Sequence, residues 1–283
     1  MPPPLPSIAL HIGAHKTASS HLQRVLYNNR EYLSDEGIRC YGPGYLRQEG
    51  RSLADIFGMS WSEGEAPKRG PLEQLRLLTK GRKRLVFTEE NFVGTLSDKY
   101  GRVSLPIYPN GVDRVAELVA AWAPVKPQLF VAVRNPASYL ASAYSQGLVA
   151  GRHLGPRTFR ARNDWRKIDW ADYITRLQAI EGIDHVFVWR QEDYDRCHRL
   201  ILRRLLRWKV GAKVETVEGR VNTGLSAAAV RQTLQWAQDG DDGKLAGKAQ
   251  ALFPVNDNNK PFNLYAPSTL AAAQDIYDAQ MAH

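Results

Sequence analysis

The stretch Ile8-Ala-Leu-His-Ile-Gly-Ala-His-Lys-Thr-Ala-Ser-Ser-His-Leu-Gln23 decides the fold class of this chain of 283 residues. It opens with a short, mostly apolar run that ends at Gly13, which is typical of a buried β-strand. Ser19 and Ser20 can cap a helix that we expect to continue to about Ser34, with an apolar stripe along one side. The stretch therefore predicts a strand, a tight loop and a helix, which together open an α/β fold.

Three further apolar runs complete the predicted sheet. They are Arg84–Thr88, Gln128–Val133 and His185–Trp189. Helical patterns surround them at about 71–79, 111–122, 136–149, 169–180, 194–208, 225–238, 243–252 and 267–281. Strands that are apolar on both faces and separated by helices indicate a parallel sheet covered by helices. We predict a three-layer α/β fold that binds its ligands at the carboxyl ends of the strands.

Two segments do not fit this alternation of strands and helices. Residues 41–70 are rich in glycine, proline and polar residues, so we expect an irregular excursion there. Residues 151–167 are basic and turn-rich, and we expect them to form a loop or lid. The whole chain, 1–283, fits a single domain with a core over about 8–226 and a C-terminal helical extension over about 227–283.

The composition limits the classes of function. A hydrophobic content of 43% is typical of a globular protein, and no apolar run reaches the roughly 18 residues that span a bilayer. The opening residues MPPPLPS lack the basic and apolar regions of a secretory signal, and two distant cysteines are typical of a reducing compartment. We therefore expect a cytoplasmic protein. A net charge of +9 favours an anionic ligand.

The loop between the first strand and the first helix has the chemistry of an oxyanion site. Its candidate ligand-binding residues are Gly13, Ala14, Lys16, Thr17, Ala18, Ser19 and Ser20. A helix N-terminus presents unpaired backbone N–H groups, to which Lys16 adds a positive charge and the three hydroxyls add further donors. The loop is not a Walker A box, because no glycine precedes Lys16 directly. A plain strand-to-helix turn with a capping serine is the simpler alternative.

Polar side chains also follow two of the other predicted strands. Arg134 comes directly after the run that ends at Val133, and Ser142 follows eight residues later on a helix. A guanidinium can hold a phosphate through two parallel N–H bonds, and the hydroxyl can add a third. Glu89 and Glu90 follow the run that ends at Thr88, and either carboxylate could act as a general base. A surface arginine and a solvated acidic turn are the simpler alternatives.

The loop resembles the 5′-phosphosulfate loop of sulfotransferases that use 3′-phosphoadenosine 5′-phosphosulfate (PAPS), and Arg134-Asn-Pro with Ser142 resembles their 3′-phosphate motif. The resemblance covers about residues 8–226 and implies the sulfotransferase fold, which is similar to that of P-loop NTPases. Ala18 stands where the family usually has glycine, so we expect the backbone there to avoid positive φ. A late segment around Arg220 resembles a stretch that approaches the 3′-phosphate or the adenine.

The resemblance also implies an activity. A sulfuryl group would move in line from PAPS to a hydroxyl or amine acceptor, leaving 3′-phosphoadenosine 5′-phosphate (PAP), with no metal required. Lys16 would hold the 5′-phosphate as its charge develops, and Glu90 is the better-aligned candidate for the base. Glu89 is the second candidate and His15 is a rival. The acceptor (a sugar, a lipid or a small alcohol) and the oligomeric state stay open.

Two other classes of function stay open as well. A small-molecule kinase of the P-loop type would need a Walker A glycine and a magnesium-binding aspartate, and neither is evident. A non-catalytic nucleotide- or polyanion-binding module would carry basic residues interleaved with aromatic ones, as residues 157–170 do. We expect that segment to face the acceptor, and we expect no nucleic-acid partner. His11, His15 and His21 have no cysteine or carboxylate at ligand spacing, so no metal site is predicted.

Overall fold

A computed structural model describes residues 4–217 and 224–282 of the chain. Within these residues, five strands form one sheet: β1 (Ser7–His11), β2 (Ile38–Tyr41), β3 (Arg84–Thr88), β4 (Gln128–Val133) and β5 (His185–Arg190). The order is β2-β3-β1-β4-β5, and all neighbours are parallel. Strands β2 and β3 lie on one side of β1, and the later strands β4 and β5 lie on the other side. In parallel sheets, a crevice for ligands forms at the carboxyl end of the strand where the order reverses.

Helices connect and cover the strands. Their bounds, in chain order, are α1 (Ser19–Asn28), α2 (Arg30–Asp35), α3 (Pro43–Leu46), α4 (Leu53–Phe57), α5 (Pro71–Thr79), α6 (Gly111–Ala121), α7 (Pro136–Val149), α8 (Pro156–Arg162), α9 (Trp170–Gln178), α10 (Tyr194–Leu205), α11 (Trp208–Ala212), α12 (Ala227–Gln238), α13 (Leu245–Leu252) and α14 (Pro267–Met281). The predicted α/β class, a parallel sheet flanked by helices, is confirmed. None of the described helices combines the length and the apolar composition that crossing a bilayer requires.

The described chain divides into two compact units. The first consists of the described residues of Met1–Gly94, Asn110–Val133 and Asp172–Gly219, and it contains the sheet. The second consists of the described residues of Thr95–Pro109, Arg134–Ala171 and Arg220–His283. Each unit is thus assembled from separate stretches of sequence. Whether the chain folds as a single domain stays a prediction.

Both faces of the sheet in the first unit are buried. On one face, sheet side chains pack with α1 and α10 in a cluster that includes Ala9, Val86, Phe130, Ala132, Leu22, Val25, Leu26, Ile201, Leu202 and Leu205. On the other face, Phe87 of β3 stacks on Trp122 with ring centroids 5.6 Å apart. Burying one such side chain stabilises the fold by about 1.5–3 kcal/mol. Burial on both faces explains why the strands are apolar throughout rather than alternating.

The second unit is built around the buried helix α7. The hydroxyl of Tyr139 lies 3.0 Å from that of Tyr108, and the ring of Tyr144 packs on Phe159 with centroids 5.2 Å apart. The Asn135 amide, just before α7, donates to Gln274 of α14 at 3.1 Å. These contacts connect α7 to α14 and to Phe159 of α8.

The prediction for residues 151–167 was wrong, because the segment contains α8 and a 3-10 turn at Trp165–Lys167. Phe159 is buried, and Asn163 donates to the Gly101 and Phe159 carbonyls at 2.9 Å each. A segment that buries an aromatic ring and satisfies a buried amide is packed structure rather than a loop. Likewise, residues 41–70 contain α3 and α4, so they are only partly irregular.

The first helix is shorter than predicted, because it ends at Asn28 and α2 begins at Arg30. The side chain of Asn29 donates to the Val25 and Glu215 carbonyls at 2.9 Å each, and it accepts from the Glu215 N–H at 3.1 Å. An asparagine side chain that bonds backbone groups competes with helical bonding. Asn29 therefore divides the predicted helix into two.

Candidate functional site

The loop after β1 is anchored to the neighbouring strand. The N–H of Ile12 donates to Phe130 at 3.1 Å, and the N–H of Ala14 donates to Ala132 at 2.7 Å, so the chain stays beside β4 beyond the end of β1. The hydroxyl of Thr17 then donates to the carbonyl of Ala14 at 2.5 Å and closes the loop on itself. Thr17 is buried, and its hydroxyl serves the loop structure.

Three residues of the loop have left-handed backbones. They are Gly13 (φ 42°), Lys16 (φ 64°) and Ala18 (φ 63°). A Cβ at Gly13 would lie 3.1 Å from Ser19 Oγ and 3.3 Å from His11 Nε2, so both its φ and the lack of space favour glycine. Left-handed residues next to right-handed ones turn successive backbone N–H groups toward one point, which is the geometry of an anion-binding concavity.

The expectation that Ala18 avoids positive φ was wrong. Ala18 keeps the left-handed conformation (φ 63°, ψ 16°) that a glycine would adopt there. The cost for a residue with a Cβ is roughly 1–2 kcal/mol. Ala18 is the N-cap residue of α1, and in this conformation its carbonyl accepts from the N–H groups of His21 and Leu22 at 2.9 and 3.3 Å.

The N-terminus of α1 has no side-chain cap. Ser19 and Ser20 lie within the first turn, so the expectation that they cap the helix was wrong, and Ala18 occupies the cap position. The Ser19 hydroxyl is buried and has no hydrogen-bond partner among the described residues. A first turn without a cap leaves N–H groups and the positive end of the helix dipole for an oxyanion. Lys16 is half-buried beside this turn, and Ser20 is exposed.

Glu89 is committed to an ion pair. Its carboxylate accepts from Arg47 through Nε at 2.9 Å and Nη2 at 2.7 Å, and it also accepts from the N–H of Asn91 at 3.0 Å. Only 8% of its side chain is exposed. A carboxylate whose two oxygens both accept from one guanidinium forms a bidentate ion pair, which suits a structural role.

Glu90 is held differently. It accepts from the Gln23 amide at 3.0 Å and from Arg47 Nη2 at 3.1 Å. Burial raises the pKa of its carboxyl, but the hydrogen bonds from its own backbone N–H and from Gln23, with the charge of Arg47, outweigh burial and hold the pKa below its ordinary 4.5. Glu90 is therefore an ionised carboxylate at neutral pH, with hydrogen bonds that fix its position.

Two histidines, His11 at the end of β1 and His15 within the loop, are neutral at pH 7. Burial lowers the pKa of His11 to about 4 and moves that of His15 below its ordinary 6.5. The Nδ1 atom of His11 lies 2.8 Å from the Thr88 hydroxyl, and the Nε2 atom of His15 lies 2.9 Å from the Asn91 side-chain oxygen. The second contact requires Nε2 of His15 to carry a proton. His15 is therefore a buried member of the hydrogen-bond network beside the carboxylates.

The loop and the two carboxylates thus lie in the first unit, whereas Arg134 and Ser142 lie in the second. The carbonyl of Arg134 accepts from the Trp170 indole at 2.7 Å, and the side chain of Asn135 caps α7 by accepting from the Ser138 N–H at 3.1 Å. These bonds fix the backbone at Arg134, and half-buried Ser142 lies on α7 itself. The prediction for Arg220 lies outside the described residues.

Two site residues escaped the sequence reasoning, Arg47 and Gln23. Arg47 lies 42 positions before Glu89, in the segment expected to be irregular, and it carried no local signal. Gln23 lies within the opening stretch, one turn after Ser19 and Ser20, and its place on the helix that starts at the loop was a usable signal. Among the residues that the structure describes, no three His, Cys, Asp or Glu side chains are grouped to hold a metal ion.

Solved structures similar to the chain include two that align over most of its length. A sulfotransferase from Alicyclobacillus acidocaldarius covers 90% of this chain and 98% of its own, with a TM-score of 0.44 and 16% identity. A chain from the PezAT chromosomal toxin–antitoxin system of Streptococcus pneumoniae covers 99% of this chain and 89% of its own, with a TM-score of 0.28 and 10% identity. No protein-family model and no curated protein matches the chain. Similarity this low carries no information about the chemistry of the site, which depends on the residues described above.

Proposed function

We propose that this protein is a sulfotransferase that moves a sulfuryl group from PAPS to a hydroxyl or amine acceptor. The observation that carries the proposal is the conformation of the loop. Gly13, Lys16 and Ala18 are left-handed, and they lead into a helix N-terminus without a side-chain cap. This backbone is suited to an oxyanion, and its sequence resembles the 5′-phosphosulfate loop of PAPS-dependent enzymes.

The loop residues would stabilise the leaving group. As the bond between sulfur and the bridging oxygen breaks, its electron pair passes to the 5′-phosphate of PAP. Lys16 and the first-turn N–H groups of α1 would balance that charge. Because these groups are already in place, they would not have to reorganise at the moment of transfer. By the resemblance, Arg134 and Ser142 would hold the 3′-phosphate.

Glu90 is the carboxylate that we assign as the base. It would take the acceptor proton while the acceptor oxygen or nitrogen forms its bond to sulfur. The low pKa of Glu90 keeps it ionised at neutral pH, whereas both oxygens of Glu89 are engaged by Arg47. The burial of His15 and its bond to Asn91 favour a role in shaping the loop. The acceptor would be a sugar, a lipid or a small alcohol, and we propose that the protein acts in the cytoplasm.

Thermal unfolding with nucleotides tests the donor. At about 100 times its dissociation constant, a ligand of the folded state adds about 2.7 kcal/mol of stability. We expect a clear rise in Tm with PAP and a much smaller one with ADP or with ATP and magnesium. Arg134→Ala should remove the preference for PAP over ADP, whereas Arg157→Ala, at an exposed arginine of α8, should keep it. An equal response to ADP, or none to PAP, would exclude PAPS as the donor.

Substitution of the two carboxylates tests the base. Glu90→Gln keeps the shape of the side chain, so PAP should still raise the Tm, but transfer from PAPS to a panel of hydroxyl and amine acceptors should fall on the order of 100-fold or more. Glu89→Gln should lower the Tm instead, because it removes the negative charge and one of the two oxygens that pair with Arg47. A fully active Glu90→Gln variant would show that another group takes the proton.

A further inference from the structure

A solvent-facing basic surface lies on α10 and the start of α11. We call it the basic face, and its residues are Arg196, Arg199, Leu200, Arg203, Arg204, Arg207, Trp208 and Lys209. The five α10 residues are spaced i, i+3, i+4, i+7 and i+8, which places them along one side of the helix. The opposite side of α10 is buried through Tyr194, Ile201 and Leu205. The orientation of the helix therefore fixes the basic face toward solvent.

The basic face exposes two large apolar side chains. Leu200 is 49% exposed and Trp208 is 51% exposed. Both lie among arginines, with the Arg203 guanidinium 4.9 Å and the Arg204 guanidinium 5.6 Å from the centre of the Trp208 ring. Neither side chain belongs to the core cluster of the first unit, to which α10 contributes Tyr194, Ile201, Leu202 and Leu205.

Most charges of the basic face have no acidic partner among the described residues. Within residues 4–217 and 224–282, no carboxylate forms an ion pair with Arg199, Arg203, Arg204, Arg207 or Lys209. Arg207 donates to the backbone carbonyl of Glu36 at 2.7 Å, which leaves its charge in place. Arg196, at the start of the face, is paired with Asp193. The other charged side chains of the face are all positive.

We propose that the basic face docks the protein on an anionic lipid surface. Arginine and lysine side chains near a membrane are attracted to acidic headgroups. Tryptophan and leucine side chains gain by entering the boundary between headgroups and acyl chains, and tryptophan is enriched there. The face presents both kinds of side chain together, and the docking is peripheral, with no segment crossing the bilayer.

A nucleic acid fits the same surface less well. Base stacking needs an open aromatic face, whereas two guanidinium groups lie over the Trp208 ring. Leu200 offers nothing to a phosphate backbone. The lipid surface is the partner that uses the charges and both apolar side chains. The proposal does not depend on the chemistry of the loop or of Glu90.

Co-sedimentation of the full chain with vesicles tests the proposal. We expect binding to phosphatidylcholine vesicles that contain about 30% phosphatidylserine and little binding to pure phosphatidylcholine, at near-physiological salt. Arg203→Gln with Arg204→Gln should weaken binding on the order of tenfold. Leu200→Ser and Trp208→Ala should each weaken it by about threefold or more, although they leave the charge unchanged. Leu200, Arg204 and Trp208 are exposed and Arg203 is half-buried. An unchanged Tm would show that the variants fold.

A matched control removes the same charge elsewhere. Arg157 on α8 and Arg231 on α12 are both exposed, and Arg157→Gln with Arg231→Gln should bind the vesicles as the parent protein does. Equal loss in the two double variants would overturn the proposal, because net charge alone would then explain binding. Unchanged binding by Leu200→Ser and Trp208→Ala would also overturn it. The proposal would also be overturned if the protein bound single-stranded DNA more tightly than the vesicles and if Arg203→Gln with Arg204→Gln removed that binding.

Discussion

Ala18 carries a conformational cost that the sequence alone did not indicate. Because glycine adopts φ near 63° freely, Ala18→Gly should raise the free energy of unfolding by about 1 kcal/mol, which is a few degrees in Tm. The control is Ala116→Gly in the middle of α6, where the same change should destabilise by about 1 kcal/mol. Opposite signs for the two variants would support the left-handed conformation at Ala18. Destabilisation by both would contradict it.

Gln23 connects the helix of the loop to the proposed base. Its amide donates to the Glu90 carboxylate at 3.0 Å and to the Thr88 hydroxyl at 3.3 Å. A donor to a carboxylate favours its ionised form, so Gln23→Leu should raise the pKa of Glu90. Glu90 would then be protonated at a higher pH, and the acid limb of the transfer rate should move upward in pH.

A control glutamine separates this effect from a general loss of activity. The Gln48 amide donates to the carbonyl of Gly44 at 2.6 Å and is exposed, so Gln48→Leu should leave the acid limb in place. A Gln23→Leu variant with a lower rate at every pH but an unmoved limb would show that Gln23 supports the fold and does not set the ionisation of Glu90.

The residue types of the loop could be predicted from the sequence, but the partners of its carboxylates could not. Local patterns beside predicted strands contain Lys16, the hydroxyl residues of the loop, and the glutamates Glu89 and Glu90. Arg47 reaches Glu89 only through the pairing of β2 with β3, a contact between distant segments. Such contacts are set by the tertiary structure, and a local pattern contains no information about them.

At the scale of elements, the break between α1 and α2 depends on Asn29. Asn29→Ala removes bonds to Val25 and to both backbone groups of Glu215 at a buried position, so we expect a loss of about 1–3 kcal/mol in the free energy of unfolding. Asn28 is exposed, and Asn28→Ala should change stability by less than about 0.5 kcal/mol. Urea unfolding of both variants measures the difference. Similar values for the two would show that the bonds of Asn29 contribute little.

Strands with strong apolar runs were predictable, and so were helices with clear ends. Helices α5 and α14 begin at a proline in the first turn and end at the predicted residues, because proline marks a helix start by its fixed φ. Strand β2, with the sequence Ile-Arg-Cys-Tyr, was missed because it is only four residues long and half polar. It lies at the edge of the sheet, where it forms hydrogen bonds with one neighbouring strand, β3.

At the scale of the whole molecule, the positive charge should govern how quickly an anionic ligand arrives. A net charge of +9 creates an attractive field that salt screens, with a Debye length of about 30 Å at 0.01 M and about 10 Å at 0.1 M. In stopped-flow measurements, the association rate of PAP should therefore fall steeply with added salt, and that of uncharged adenosine should not.

Two double variants test whether the net charge or a local surface guides the ligand. At low salt, PAP association should slow by similar modest factors in Arg203→Gln with Arg204→Gln and in Arg157→Gln with Arg231→Gln, because each double variant removes two charges. A rate that depends on only one pair would show that a local surface, rather than the net charge, guides the ligand.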